Sequence, residues 1–471
     1  MKNNWFECVP MLSLAVCLMA GIVITRYVDF PLSLWPVLVI VVVVALLLGR
    51  YPLGQSVAIA VCFVVLGALL SQRQKESLRV QWPDGEVRYE AVVLSEPQEK
   101  AKTVAVDIML VQNGQIRKCY FYKDERSRGL RIGDGLRIHG SMGSTFVASW
   151  KWKKARVSLK GLSRLERTRI YFLELRSRLL QRFVVDEQEK GAYAVVAAMV
   201  LGDKSALTKE LKDVYSVTGA SHVLALSGLH LGIIYTLLSL LIVGRRWQMV
   251  SQILIVLCIW TFVFLVGMST SVMRSATMLT VYALLSLGYR DKMSVNTLAF
   301  TAIVMLMVNP MSLYDIGFQM SFMAVFAILV LMPFMMRTFS VEFLLSHQIV
   351  RWIWSMVAVS VSAQIGVAPL IAYYFGRFST YFLLTNFIVI PAATLILWLS
   401  PVMLVFPSFA YILLYIVKCL NTVLEQIATW PGASIEALHP SVLQTAMIYV
   451  VIICVTYILT ILGYRSGSPR P

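Results

Sequence analysis

The sequence predicts an all-α polytopic membrane protein of about twelve transmembrane helices, into which one small extracytoplasmic β-barrel domain is inserted. Three observations lead there. The 471 residues are 58% hydrophobic and 14% charged, with a mean hydropathy of +0.74, whereas a soluble domain carries roughly 25% charged residues. Apolar runs recur that reach the ~20 residues a helix needs to cross ~30 Å of hydrocarbon. Such spans must be helices, because lipid offers the backbone no hydrogen-bond partners. Finally, Lys and Arg alternate from loop to loop between these runs.

The first group of runs covers residues 9–27, 31–49 and 53–70. The second covers 221–243, 250–267, 270–288, 294–308, 317–336, 352–373, 381–405, 408–428 and 441–462. Lys2 ahead of the first run imitates a signal peptide, and Leu14-Ala15-Val16-Cys17 a lipoprotein box. No small-x-small cleavage site follows, so the first span is expected to be retained. Lys2, Arg50, Arg245 with Arg246, Arg290 with Lys292, Arg337 with Arg351, and Arg465 with Arg470 fall on one side. The positive-inside rule makes that side the cytoplasm. Both termini are then cytoplasmic in a cell inner membrane, and residues 71–220 lie outside; Arg377 is the exception in the opposite loops. The expected organisation is three transmembrane helices (1–71), a β domain (72–164), amphipathic or interfacial helices (165–220), a transmembrane channel domain (221–464) and a short tail (465–471).

Within the outer region, β-rich runs at 87–94, 103–111, 115–122, 135–139, 145–150 and 155–159 are separated by turn clusters such as Asn113-Gly114 and Gly133-Asp134-Gly135. Five or six strands in about 80 residues suit an OB-like barrel, and an SH3-like one nearly as well. Residues 165–185, with Arg167, Arg169, Arg176, Arg178 and Arg182, read as an amphipathic helix lying either on the membrane surface or against the barrel. Of the seven cysteines only Cys119 falls in this region, so no disulfide within it is expected.

The net charge is +17, and 25 of the 42 basic residues lie between positions 71 and 190. Trp150, Lys151, Trp152, Lys153, Lys154, Arg156, Lys160 and Arg164 interleave basic and aromatic side chains, and Arg167 and Arg169 continue the run. Cations follow a phosphate backbone and aromatic faces stack on unpaired bases. The competing reading is attraction to anionic lipid head groups. Tyr120, Phe121 and Tyr122 extend the aromatic platform.

No GxxxxGK[ST], HExxH or CxxC occurs, so no nucleotide site, metal or other cofactor is expected. The most polar span holds His222, Ser227, Gly228 and His230. On one helix the two histidines stand about 80° apart with Ser227 on the flank. Three uses are open: helix packing, the lining of a hydrated pore, or intramembrane proteolysis through Ser227. The last needs a histidine base on a later span, and none of those spans contains one. Arg274 and Asp315 are expected to pair near the outer ends of adjacent spans, with Gln319 on the same helix face as Asp315 and Gln364 adding to a polar lining.

The string His222-x-x-Ala225-x-Ser227-Gly228-Leu229-His230, preceded by Leu201-Gly202-Asp203-Lys204-Ser205 and followed by Arg274-Ser275-Ala276 and Asp315-x-Gly317-Phe318-Gln319-x-Ser321-Phe322, resembles the ComEC/Rec-type competence family. The resemblance implies a channel admitting single-stranded DNA, with an OB-like domain guiding the strand. It also implies an extracytoplasmic DNA receptor and a cytoplasmic motor ATPase as partners, beside membrane lipids and, as an open option, further copies of the chain. Many members continue into a metallo-β-lactamase-like domain. No HxHxDH motif occurs here, so the chain is expected not to be an enzyme and strand degradation to fall to a separate nuclease. Small-solute or glycan transport is the remaining alternative.

Overall fold

The computed structural model describes residues 9–28, 34–78, 85–141, 145–181, 189–242, 248–287 and 294–465. Several charges used to orient the chain (Lys2, Arg245, Arg246, Arg290, Lys292, Arg470) and Arg182 lie outside the described residues. Three helices open the chain: α1 (Pro10–Tyr27), α2 (Trp35–Leu47) and α3 (Pro52–Leu78). A sheet of seven short strands follows: β1 (Val87–Val93), β2 (Gln98–Glu99), β3 (Thr103–Leu110), β4 (Ile116–Tyr122), β5 (Gly135–Gly140), β6 (Phe146–Val147) and β7 (Trp152–Lys154), with the one-turn helix α4 (Glu125–Arg128) before β5. The remainder is helical: α5 (Arg164–Gln181), α6 (Lys190–Leu201), α7 (Lys209–Val217), α8 (Ser221–Leu224), α9 (Gly228–Ile242), α10 (Gln248–Leu265), α11 (Thr270–Leu287), α12 (Val295–Val308), α13 (Ile316–Met336), α14 (Val341–Ser346), α15 (Gln348–Phe375), α16 (Phe382–Val405), α17 (Ala410–Ala428) and α18 (Val442–Arg465). A small two-stranded ladder, β8 (Phe378–Ser379) with β9 (Ser434–Ile435), ties the start of α16 to the loop after α17.

Six helices among the described residues are long and apolar enough to cross a membrane: Pro10–Tyr27, Pro52–Glu76, Ile316–Met336, Gln348–Phe375, Phe382–Met403 and Ala410–Ala428. Their outward faces are apolar and exposed, as in Val16, Val23 and Ile24 of α1. Where two helices meet, small residues allow close approach. Gly21 of α1 lies against the Val64 carbonyl of α3, and Gly67 of α3 against the Leu18 carbonyl of α1; a Cβ on either would collide with backbone. The Lys75 ammonium closes the crossing by donating to the Thr25 carbonyl (2.5 Å). This pair is continuous with the later bundle. Leu18 and Ile22 share a core with Leu306 of α12 and Phe318 of α13, and the Tyr314 hydroxyl donates to the Ile22 carbonyl (3.2 Å).

The sheet runs β6-β4-β3-β1-β5-β7 with β2 beside β3, and it is nearly closed. Every pairing is antiparallel except β4 with β6. Alternation along the strands turns Tyr89, Val106, Cys119, Phe121, Ile138 and Trp152 into one core. Burial there pushes the Cys119 thiol up to about 11, so it behaves as a small apolar side chain. Two expected strands are displaced. In place of 145–150 and 155–159, the chain makes β6, a 3₁₀ turn at Ser149–Lys151 and then β7. The cause is Trp152, which pairs opposite Ile138 and sets its ring edge-on to Phe121 at 5.2 Å. The other sheet face is covered by α5, where Ile170 and Leu173 pack on Val92 and Met109.

Candidate functional site: a broken helix beneath the β domain

The expected continuous helix over 221–243 is broken. Helix α8 ends at Leu224, Ala225 is extended (φ −94°, ψ 123°), and α9 begins at Gly228. The two histidines therefore do not share a helix face, contrary to the sequence expectation. The exposed His222 ring is held by its Nδ1 at the Gly219 carbonyl (3.0 Å), while His230 is fully buried on α9. The break has a local cause. His230, three residues past Ser227, points its Nδ1 back at the Ser227 N–H (3.4 Å). A side chain at the third helical position thereby satisfies the donor at the helix entry, as a capping-box glutamate does.

The same turn brings Ser227 Oγ to 3.2 Å from His230 Nδ1. Since Nδ1 accepts from a backbone N–H, the ring proton resides on Nε2. That Nε2 is buried with no protein partner among the described residues. A nucleophile–base pair works when a third group orients the base, and among the described residues none hydrogen-bonds this ring nitrogen.

Arg274 and Asp315 meet as expected. Arg274 lies one turn into α11 with its side chain 2% exposed, and its Nη1 is 3.5 Å from Asp315 Oδ1. Asp315 also caps α13 by accepting the Phe318 N–H (2.9 Å) and receives the Thr270 hydroxyl (3.4 Å). Gly317 is needed beside them, because a Cβ there would stand 3.1 Å from the guanidinium. Gln319 is held at both ends: its amide donates to the Leu313 carbonyl (2.9 Å), and its oxygen accepts the Tyr374 hydroxyl (2.6 Å). Gln364 is half-buried in the middle of α15. Gly228 of α9 abuts Ser275, one residue past Arg274, and Gly202 of the 201–205 loop abuts Leu226 in the break. The motif blocks are thus joined by direct contact at one end of the bundle.

That end faces the β domain. Helix α10 closes in a Schellman turn, with Met268 N–H to the Val263 carbonyl (2.9 Å) and Gly267 N–H to the Phe264 carbonyl (3.1 Å). Two arginines of α5 grip carbonyls at the end of α10: Arg169 donates to Gly267 (3.1 Å) and Arg176 to Val266 (3.5 Å). Burial lowers the pKa of both guanidinium groups, and the negative end of the α10 dipole offsets part of that cost. Helix α5 thus packs between sheet and bundle.

The predicted strand-binding stretch is only partly available. Trp152 is a core residue, 5% exposed, and cannot stack on a base. Lys151 is engaged by Glu86, whose carboxyl it holds below the usual range. Lys154 is committed to Asp134 (2.7 Å) and to the Gly129 carbonyl (2.7 Å). Arg167 turns back to the Leu162 and Lys160 carbonyls (3.0 and 2.6 Å). Trp150, Lys153, Arg156, Lys160 and Arg164 are exposed. Residues 71–190 also carry 15 of the chain's 25 acidic residues, which explains how much of the basic surplus is spoken for.

Strand alternation displays a different surface on β4. Phe121 points inward, whereas Ile116, Lys118, Tyr120 and Tyr122 point outward. Tyr122 meets Phe146 of β6 edge-on at 5.1 Å, both being nearly half exposed, and the Lys100 ammonium sits 4.7 Å over the Tyr120 ring. The alternation within Ile-Arg-Lys-Cys-Tyr-Phe-Tyr was the readable signal for this strip. Its use needed the pairing of β4 with β6, which no sequence period reveals.

The family model described as "Competence protein" matches residues 199–461, from the end of α6 into α18 and across every block of the site. The chain belongs to the competence protein family. ComE operon protein 3 of Bacillus subtilis (strain 168) is 28% identical over 248 residues, 52% of this chain and 30% of that protein. An uncharacterized protein of Aquifex aeolicus (strain VF5) is 27% identical over 262 residues, 54% of this chain and 56% of its own length. The chain therefore spans between about a third and about half of the length of these two relatives. No solved structure matches.

Proposed function

We propose that this chain acts in competence by passing a single strand of DNA through the cell inner membrane. In this reading the helices form about twelve spans, both termini are cytoplasmic, and the OB-like domain stands outside as receiver. Membership of the competence family supports the cargo. The observation that carries the route is the gathering of polar motif residues at the bundle end on which α5 and the β domain sit. A strand carries about one negative charge per 3.4 Å, and that end also presents the amino-terminal, positive ends of α9, α11 and α13. The receptor, the separate nuclease and the cytoplasmic motor ATPase are partners on the same reading.

On the β domain the strand's contact surface is the outward strip of β4 and β6. Replacing Tyr120, Tyr122 and Phe146 with Ala in the full chain is expected to weaken binding of a fluorescent single-stranded oligonucleotide by about 1–3 kcal/mol for each base that loses its stacking face. Replacing Trp150 should do less. Anisotropy titrations over a salt series measure both; an unchanged affinity in the triple variant sinks this assignment.

The serine protease reading is tested at Ser227. Ser227→Ala removes the hydroxyl that meets His230 Nδ1 (3.2 Å), a hydrogen bond worth about 1 kcal/mol, and is expected to leave uptake of labelled DNA within about two-fold. Intact uptake together with lost cleavage of a membrane substrate would instead establish the protease.

A further inference from the structure

Buried hydrogen-bonding atoms nearly always find a partner. Four of the ten that find none within the protein, among the described residues, converge on one seam. Ser379 Oγ comes from β8 just ahead of α16, Thr385 Oγ1 and Asn386 Oδ1 come from the start of α16 itself, and His230 Nε2 comes from α9, which packs against α16. His230 and Thr385 are fully buried and Ser379 is 7% exposed. One face of α9, with Leu231, Tyr235 and Leu238, packs into α10 and α11. Another, with Thr236 and Leu240, is exposed. His230 stands on the third face, toward the Val223 backbone of α8 and the side on which α9 packs against α16.

Helix α8 covers this seam. Gly219, with φ +83°, comes so close to α16 that a Cβ would stand 3.0 Å from Ser379 Oγ, and Val223 shares a core with Val389 and Ala393. Gln319 makes the contrast, since both ends of its amide are taken up by protein partners. A side chain like Asn386 is costly in a span unless it faces a partner or a wet cavity. The seam offers two hydroxyls that donate and accept, an amide oxygen that accepts and an imidazole N–H that donates. It has neither a carboxylate for a cation nor a guanidinium for an anion. Water fits that set.

We propose that the seam between α8–α9 and the start of α16 is a hydrated passage, in which water bridges Ser379, Thr385, Asn386 and His230 and the short helix α8 covers the end toward the β domain. Naming it the path of the strand rests on the channel reading above; its wetness does not. The passage then runs along α16, with the Arg274–Asp315 pair acting as a fixed post beside it.

Cysteines placed at 384, 385 and 386 of a full chain whose seven native cysteines are replaced by Ala test this in membranes. A charged, membrane-impermeant thiosulfonate is expected to modify Thr385→Cys and Asn386→Cys at least ten-fold faster than Leu384→Cys, whose side faces outward (42% exposed). Equal rates at the three positions overturn the proposal. If the cysteine-free chain does not fold, hydroxyl-radical footprinting of the unsubstituted chain in nanodiscs replaces it: oxidation of His230 supports a wet seam, and its protection overturns it. Labelling without DNA movement would keep the seam and sink the cargo, whereas DNA movement past an unlabelled seam would sink the seam.

Discussion

Asp315→Ala is expected to destabilise the protein by about 3–5 kcal/mol, the cost of stranding one member of a buried ion pair. Arg274 has nowhere to go. Its side chain is 2% exposed, Gly317 closes one side of it, and its Nε already lacks a partner. The same substitution removes the acceptor for the Phe318 N–H, which adds about 1 kcal/mol of lost helix cap. Asp315 itself is partly solvated, which places the sum within that range and not above it. Asp315→Asn separates the two terms, because an amide oxygen still caps the helix while the charge is gone. Thermal midpoints of the detergent-solubilised chain should fall in the order wild type, Asp315→Asn, Asp315→Ala. Identical midpoints for all three would show that the pair contributes nothing.

Gly67→Leu is expected to prise α1 from α3 and cost about 3 kcal/mol or more. Overpacking of a core ordinarily costs about 1–3 kcal/mol, because neighbouring side chains can rotate away. Here the atoms met are the Leu18 carbonyl oxygen, then its carbon and the Ile22 nitrogen, and backbone cannot rotate away. Gly21→Leu meets the Val64 carbonyl from the opposite direction and should act alike. As a control, Gly49→Leu lies where a Cβ meets nothing and should leave the midpoint unchanged. Size-exclusion profiles after graded heating measure all three, and a Gly67→Leu chain as stable as the control would refute the close crossing.

How much of this could be read beforehand depended on the range of the interaction. Apolar length marks out α1, α3, α13, α15, α16 and α17 because the bilayer sets a length that the chain must meet locally. The Arg274–Asp315 pair was legible because two charges in neighbouring spans have few alternatives to each other. The helix break at Ala225 was not, since it arises from one imidazole turning back on its own helix entry, and a periodicity cannot register that. Trp152 misled for a related reason: a Trp between lysines looks like a stacking face until strand pairing turns it inward onto Phe121. The seam along α16 was invisible because Thr385 and Asn386 differ from packing residues only in what faces them.

The packing of α1 on α12 and α13 has a consequence for how the chain may be divided. The matched stretch starts at residue 199, yet Leu306 and Phe318 within it are buried partly by Leu18 and Ile22, far outside it. Evolutionary kinship and structural self-sufficiency therefore have different borders in this protein. A polypeptide cut to the kinship border would carry every motif and still present a bare apolar wall where α1 belongs, so the opening hairpin acts as an internal scaffold for the half that bears the motifs.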